Sequence, residues 1–181
     1  MKIKETPLKD CYVIEPTLLE DERGYFYEKF NEKTFEQQTG MNGHFVQDNI
    51  SKSSYGVVRG IHLQKGEHAQ AKLVSCLEGT VLDVAVDLRK DSPTFGQWFS
   101  IELTATNKLQ LYVPRGFGHG FSVLSETAVF SYKCDNFYDK LSEGSVIWND
   151  EDLNIDWQVP SEDVILSEKD KSVPRFKEGN F

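Results

Sequence analysis

Short runs of β-branched and aromatic residues, broken by Gly, Pro, Asn, Asp and Ser, recur along most of the chain. "CYVIEP", "GYFYEKF", "HFVQDNIS", "GVVRGIHLQ", "AKLVSCLEG", "TVLDVAVDLR", "QWFSIELTA", "LQLYVPRG", "HGFSVLSE" and "AVFSYKCD" each read as a strand. Alternation is cleanest in "LDVAVDL", where Leu82, Val84, Val86 and Leu88 share one face and Asp83, Ala85 and Asp87 the other. "LEGTV" reads as a tight turn between two strands, with Gly79 free to take positive φ. One segment carries a helical signature: "NEKTFEQQTG" offers Asn31 as N-cap and Gly40 just past the end. From about residue 139 the pattern is mixed. "SEGSVIWNDEDLNIDW" is turn-rich, and "SEDVILSEKDKS" reads as a short strand followed by a polar turn. No repeat or linker interrupts the chain. The pattern therefore predicts one all-β domain over residues 1–181, a closed barrel or jelly roll with a few short peripheral helices. Such a fold has a mouth and an interior that suit a small-molecule site.

Composition narrows the partners. Apolar residues make up 39% of the 181, enough for a folded core rather than a disordered chain. The net charge of −9 speaks against nucleic acid or an anionic membrane as partner, while leaving room for a local basic pocket. Cys11, Cys76 and Cys134 are odd in number and form no Cys-x-x-Cys pair, so neither a disulfide framework nor a zinc knuckle is expected. Free thiols fit a reducing cytoplasm. The start "MKIKETPLKD" lacks an apolar run of signal-peptide length, and no stretch approaches a membrane span. The expectation is a soluble cytoplasmic protein.

Candidate chemistry concentrates in residues 57–74, "VVRGIHLQKGEHAQAKLV", where Arg59, His62, His68 and Lys72 sit among apolar strand residues. "PRGFGHG" supplies the Pro-x-Gly-x-x-His pattern that cupin jelly rolls use to place a metal-binding histidine, His119. The other half of a metal cupin needs His-x-His, and here that place reads His62-Leu63-Gln64. Three N/O ligands are not available from this stretch, so no metal is expected. Acid–base chemistry fits better. Imidazole is the side chain whose ordinary range suits taking and returning a proton at neutral pH, which makes His62 a candidate base. Lys72 can stabilise an oxyanion, and Tyr132 shares parity with Ala128 and Phe130, an inward face. Each residue has a plain alternative: a hydrogen-bonded barrel histidine, a snorkelling surface lysine, an amphipathic core tyrosine. His119 alone reads as structural, His44 and His68 as loop residues, and Arg23 with Glu28 as an exposed strand face. Strict alternation would put Arg59 and His62 on opposite faces; a bulge at Gly60 would bring both inward.

"EDERGYFYEKFN", "FVQDNISKSSYGVVRGIHLQ", "HAQAKLV", "GTVLDVAVDLRKDSPTFGQW", "PRGFGHGFSVLSETA" and "IWNDEDLNIDW" occur in an order that resembles the dTDP-4-dehydrorhamnose 3,5-epimerase family, from about residue 3 to about 175. The resemblance implies a cupin enzyme without metal or other cofactor, a homodimer, acting on a dTDP-linked 4-keto-6-deoxyhexose on the route to dTDP-L-rhamnose. By motif, His62 in "RGIHLQ" is the general base and Asp170 in "SEKD" its orienting partner. Lys72 in "AQAKLV" faces the ketone, and Tyr132 in "FSYK" returns a proton on the opposite face. Arg59 in "VVRG" holds the diphosphate, and Gln47 and Asn49 in "VQDN" line the nucleotide pocket. Arg23 and Glu28 lie in "ERGYFYE", which in the family reaches the neighbouring subunit's site; His119, Glu143 and Lys169 complete the set, with Tyr138 stacking on thymine. The chain departs from the family pattern at Ser75, where "KLVR" is expected, and at Gly66-Glu67, where many members have Pro-Pro. Other readings stay open: a single-site 3- or 5-epimerase, a 3,4-ketoisomerase, a silent sugar-nucleotide-binding cupin and, weakest, a metal oxygenase.

Overall fold

Strands that alternate in this way must each bury a face, and the computed structural model, covering residues 1–181, shows them doing so in two sheets that enclose a common interior. One sheet runs in the order β1 (Lys2–Glu5), β2 (Tyr12–Glu15), β10 (Gln110–Val113), β7 (Lys72–Glu78), β12 (Thr127–Cys134), β5 (Gln47–Ser54). The other runs β13 (Glu143–Ser145), β6 (Val58–Gln64), β11 (Phe117–Val123), β8 (Thr80–Asp87), β9 (Trp98–Thr104). A separate hairpin, β3 (Leu19–Asp21) with β4 (Gly24–Phe26), leaves Leu19, Tyr25 and Phe26 exposed. The fold is the expected all-β jelly-roll barrel.

Each sheet presents its inward parity to the barrel. Val74, Cys76, Phe130, Val81, Ala85, Phe117 and Phe121 meet in the interior cluster. The outward face of the five-stranded sheet is buried as well: Val58, Ile61, Leu63, Leu82, Val84, Val86 and Leu88 pack under Val146, Leu153 and Trp157 of the C-terminal segment. This explains why "LDVAVDL" has no solvent face. Its aliphatic side lies outside the barrel beneath that segment, and its carboxylate side, with Asp83 and Asp87 fully buried, faces in. Helix α1 (Glu32–Thr39) forms as predicted. The Asn31 side chain accepts a hydrogen bond from Thr34 N, Gly40 closes the helix at φ 70°, and Phe35 packs against Tyr112 on the outside of the six-stranded sheet.

Two details differ from a simple hairpin reading. The turn at Gly79 is present, with φ 75°, but β7 and β8 do not pair with each other. Gly79 is a corner at which the chain leaves one sheet for the other, packed so closely that a Cβ there would run into the Thr127 carbonyl oxygen. The short strand expected within "SEDVILSEKDKS" is reduced to one parallel bridge between Val57 and Ile165. The edge of β6 that it meets is already occupied beyond that point, where Ile61 and Val146 exchange backbone hydrogen bonds and β13 follows.

The bulge at Gly60 is present. In the β6–β11 ladder His62 pairs with His119 and Arg59 with Phe121, so three steps on β6 match two on β11. Gly60 takes φ 125°, and its Cα side lies against the Gly120 backbone. The extra residue resets the phase. Val58, Ile61 and Leu63 point to the outer cluster, while Arg59 and His62 both line the interior cavity.

Candidate active site

The interior opens into a cavity of about 410 Å³ walled by Val57, Phe121, Phe130 and Leu166, with Arg59, His62, Lys72, His119, Tyr132, Lys169 and Asp170 among its polar lining. A smaller cavity of about 130 Å³ shares His62, Lys72 and Tyr132 with it and adds Gln47, Asn49, Gln64, Tyr138 and Glu143. Eleven of the thirteen residues singled out from sequence thus line one or other of two cavities that have three side chains in common. The other two stand apart within the chain. Arg23 is paired with Asp21 in the exposed hairpin, and Glu28 accepts a hydrogen bond from Asn31.

His62 Nε2 lies 2.5 Å from Asp170 Oδ1. Burial alone would raise the Asp170 carboxyl, but the hydrogen bond and charge of His62, with help from Ser167, hold it below the usual carboxylate range. An ionised carboxylate only accepts, so Nε2 carries the hydrogen and Nδ1 is the ring's basic atom. Asp170 reaches His62 across 108 residues of sequence, on a 3-10 turn that follows the Ile165 bridge.

The sign of the Asp170 shift makes a prediction. Its native pKa is below its unfolded value, so its stabilisation is complete above the ordinary carboxylate range and is lost as pH falls through the lowered native value. Asp170→Asn is expected to flatten the dependence of unfolding free energy on pH below about 4, relative to the parent chain. Urea titrations at a series of pH values measure this, and an unchanged slope would contradict it.

Lys72 and Tyr132 come from neighbouring strands of the six-stranded sheet, β7 and β12, on the inward parity. Burial pushes the Lys72 ammonium below the ordinary lysine range, opposed by Cys134 and Asp83. Burial raises the Tyr132 phenol, chiefly by desolvating its anion, which keeps the group protonated and able to donate. Arg59 is held by Ser53, whose Oγ lies 3.2 Å from both Nε and Nη2, leaving Nη1 outside that contact. Lys169 pairs with Glu143 at 2.6 Å, linking the C-terminal segment to β13. Tyr138 is exposed; its backbone N–H donates to Gln47 Oε1.

Sequence reasoning missed Asp83. Its Oδ1 lies 2.8 Å from His119 Nε2, so His119 is tied into the barrel by a buried carboxylate and still lines the cavity. Asp83 Oδ2 is buried with no partner. The signal was present in the alternation of "LDVAVDL", which put a carboxylate beside Ala85 on a face that had to be inward once both faces were covered. Gln64, at the place where metal cupins carry a second histidine, instead accepts a hydrogen bond from Asp139 N. No three His, Cys, Asp or Glu side chains are grouped so as to hold a metal ion. Ser75 is buried against the Ser131 carbonyl, and Gly66-Glu67 begin an exposed 3-10 turn; neither lines the two cavities.

An imidazole with an ionised partner, a charge for an oxyanion and a protonated phenol around one cavity define a jelly-roll enzyme of the cupin type that moves protons on a bound organic molecule. Comparison with known proteins makes the class specific. The chain belongs to the dTDP-4-dehydrorhamnose 3,5-epimerase family, whose model matches residues 5–178. It is 51% identical over 177 residues to dTDP-4-dehydrorhamnose 3,5-epimerase of Salmonella typhimurium, covering 96% of this chain and 94% of that one. The crystal structure of dTDP-4-dehydrorhamnose 3,5-epimerase from Elizabethkingia anophelis NUHP1 superposes with a TM-score of 0.98 at 74% identity, covering 100% of this chain and 99% of the other. That of dTDP-6-deoxy-D-glucose-3,5-epimerase from Legionella pneumophila Philadelphia 1, in complex with dTDP-4-keto-L-rhamnose, gives 0.92 at 46% identity, covering 97% and 93%.

Proposed function

We propose that this chain epimerises C3 and C5 of dTDP-4-dehydro-6-deoxy-D-glucose to give dTDP-4-dehydro-L-rhamnose, in dTDP-L-rhamnose biosynthesis. The observation that carries the reading is the 2.5 Å contact of His62 with Asp170 in a cavity shared with Lys72 and Tyr132. The 4-keto group acidifies the C–H bonds at both flanking carbons. His62 takes the proton through Nδ1, the resulting imidazolium is stabilised by Asp170, and the electron pair moves onto the C4 oxygen as an enolate. Lys72 faces that oxygen and stabilises its charge. Tyr132 protonates the opposite face of the carbon, and the centre is inverted. These residues supply each step without a resident cofactor.

Arg59 binds the diphosphate with a guanidinium that Ser53 already orients. Gln47, Asn49 and Tyr138 take the nucleotide, while His119, Glu143 and Lys169 contact the sugar and phosphate groups. The protein works as a homodimer in which the exposed hairpin carrying Arg23 reaches its neighbour's site together with Glu28. Leu19, Tyr25 and Phe26, uncovered in one subunit, support that placement. Cys11, Cys76 and Cys134 are all free and buried, which fits work in a reducing cytoplasm.

Incubation with dTDP-4-dehydro-6-deoxy-D-glucose in deuterated water tests the reading, because each inverted carbon takes up deuterium. NMR of the product is expected to show label and inversion at both C3 and C5. Label at C3 alone would favour a single-site epimerase. That second reading has a specific support: a 3'-monoepimerase from Streptomyces bikiniensis, solved in complex with dTDP-quinovose, shares the fold at 33% identity with a TM-score of 0.88. Tyr132→Phe is expected to separate the two half-reactions. Deuterium still enters, because His62 can remove a proton and return a deuteron on one face, while inversion slows by about 10²- to 10⁴-fold. Parental inversion rates in this variant would exclude the phenol as the acid.

A further inference from the structure

We propose that Ser167 is a positioning residue that locks the Asp170 carboxylate against His62; the catalytic part of this inference rests on the proposed epimerase reading. Asp170 is 3% exposed, so solvent does little to orient it. Its two oxygens have one side-chain partner each: Oδ1 meets His62 Nε2 at 2.5 Å, and Oδ2 accepts from Ser167 Oγ at 2.9 Å. Ser167 Oγ also accepts from the Asp170 backbone N–H at 3.2 Å, and the same N–H lies 3.1 Å from the Ser167 carbonyl. The hydroxyl therefore fixes both the carboxylate and the backbone on which it is mounted, within a single tight turn.

The segment needs such a lock because little else fixes Asp170. The nearest backbone tie to the barrel on the N-terminal side is at Ile165, through its N–H to Gly56 O and its carbonyl to Val58 N. Lys169 reaches outward to Glu143 rather than to Asp170. On the C-terminal side the next backbone tie is Pro174 O with Ile147 N. Without the Ser167 hydroxyl, Oδ2 is left buried without a donor, and the carboxyl group gains by rotating or by taking up a proton. Either change removes the fixed acceptor that sets the tautomer of His62, so that the basic atom is no longer held on Nδ1. Ser167 itself borders the cavity on the exposed side of the segment, and its replacement leaves the apolar clusters untouched.

The test compares Ser167→Ala with Ser167→Thr, which keeps the hydroxyl. The alanine variant is expected to lose about 10- to 100-fold in kcat, part of the 10²- to 10⁴-fold that a positioned base supplies, with KM for the dTDP-sugar within about twofold of the parent. Proton NMR of the unliganded protein supplies an independent readout. The downfield ring N–H of the short His62–Asp170 hydrogen bond is expected to broaden or move upfield in Ser167→Ala and to persist in Ser167→Thr. An alanine variant with parental kcat and an unchanged downfield resonance would overturn the proposal, as would a threonine variant that fails to restore either. If the parent chain shows no exchange at C3 or C5, the epimerase reading fails, whereas the NMR comparison still decides whether Ser167 locks Asp170.

Discussion

His62→Ala is expected to abolish deuterium incorporation at both C3 and C5 while leaving affinity for dTDP close to that of the parent chain. The two measurements separate because the imidazole and the groups proposed to bind phosphate have different partners. Arg59 is oriented by Ser53 and Lys169 by Glu143, and neither contact involves His62. A positioned general base contributes about 10²- to 10⁴-fold, and in the proposed mechanism one base serves both carbons, so both exchanges should disappear together. Full wash-in at C3 and C5 by the variant would remove His62 from the mechanism. Loss at one carbon alone would mean that a second base serves the other.

Gly60→Ala is expected to destabilise the protein strongly and to disturb the site with it. A Cβ at this position would lie 2.5 Å from Gly120 Cα and 2.7 Å from the His119 carbonyl oxygen, at φ 125°. Both obstacles are backbone, so no side chain can swing aside. Backbone strain and overpacking together should cost about 2–5 kcal/mol, read as a lower urea midpoint with unchanged m-value. Gly24→Ala is the matched control: it has the same φ of 125° with nothing within 4 Å of the added atom. Its expected cost is only the strain, about 1 kcal/mol or a little more. Equal stability of the two variants would show that the close approach at Gly60 does not matter. The surviving folded fraction of Gly60→Ala should also lose activity, because the bulge is what places Arg59 and His62 on one face.

The strands that carry apolar or aromatic runs were legible, and the short polar ones at the sheet edges were not. β8 and β12 could be read directly, because each has a continuous inward row. β1 reads "KIKE" and β13 reads "EGS"; both lie at sheet edges, where one neighbour supplies the hydrogen bonds and little apolar surface is required. In the β3–β4 hairpin, exposed on both faces, β4 was legible within "GYFYEKF" from its aromatic residues, whereas β3, "LED", carries no such signal. In the site, the inward parity of Tyr132 and the need for a bulge at Gly60 followed from spacing. The pairing of His62 with Asp170 did not, since a partner 108 residues away leaves no periodic trace; it came from the family likeness. Asp83 was visible as an oddity, but its partner His119 lies 36 residues on, and only the β8–β11 ladder brings them together.

The corner at Gly79 has a kinetic consequence. Because the chain crosses there from one wall of the barrel to the other, β7 and β8 cannot zip together as a local hairpin; β8 can pair at once with β9, the next strand, whereas β7 must wait for β10 and β12 and β8 for its second neighbour β11. Lys72 and Tyr132 arrive with the first wall, His62 and His119 with the second, and Asp170 with a segment that docks on β6. Loop-closure entropy therefore opposes the long-range contacts of the site, His62 with Asp170 above all, until distant segments have met. In refolding, backbone signals of sheet formation should recover ahead of turnover, and catalytic competence is a property of the last stage of assembly rather than of any piece that folds early.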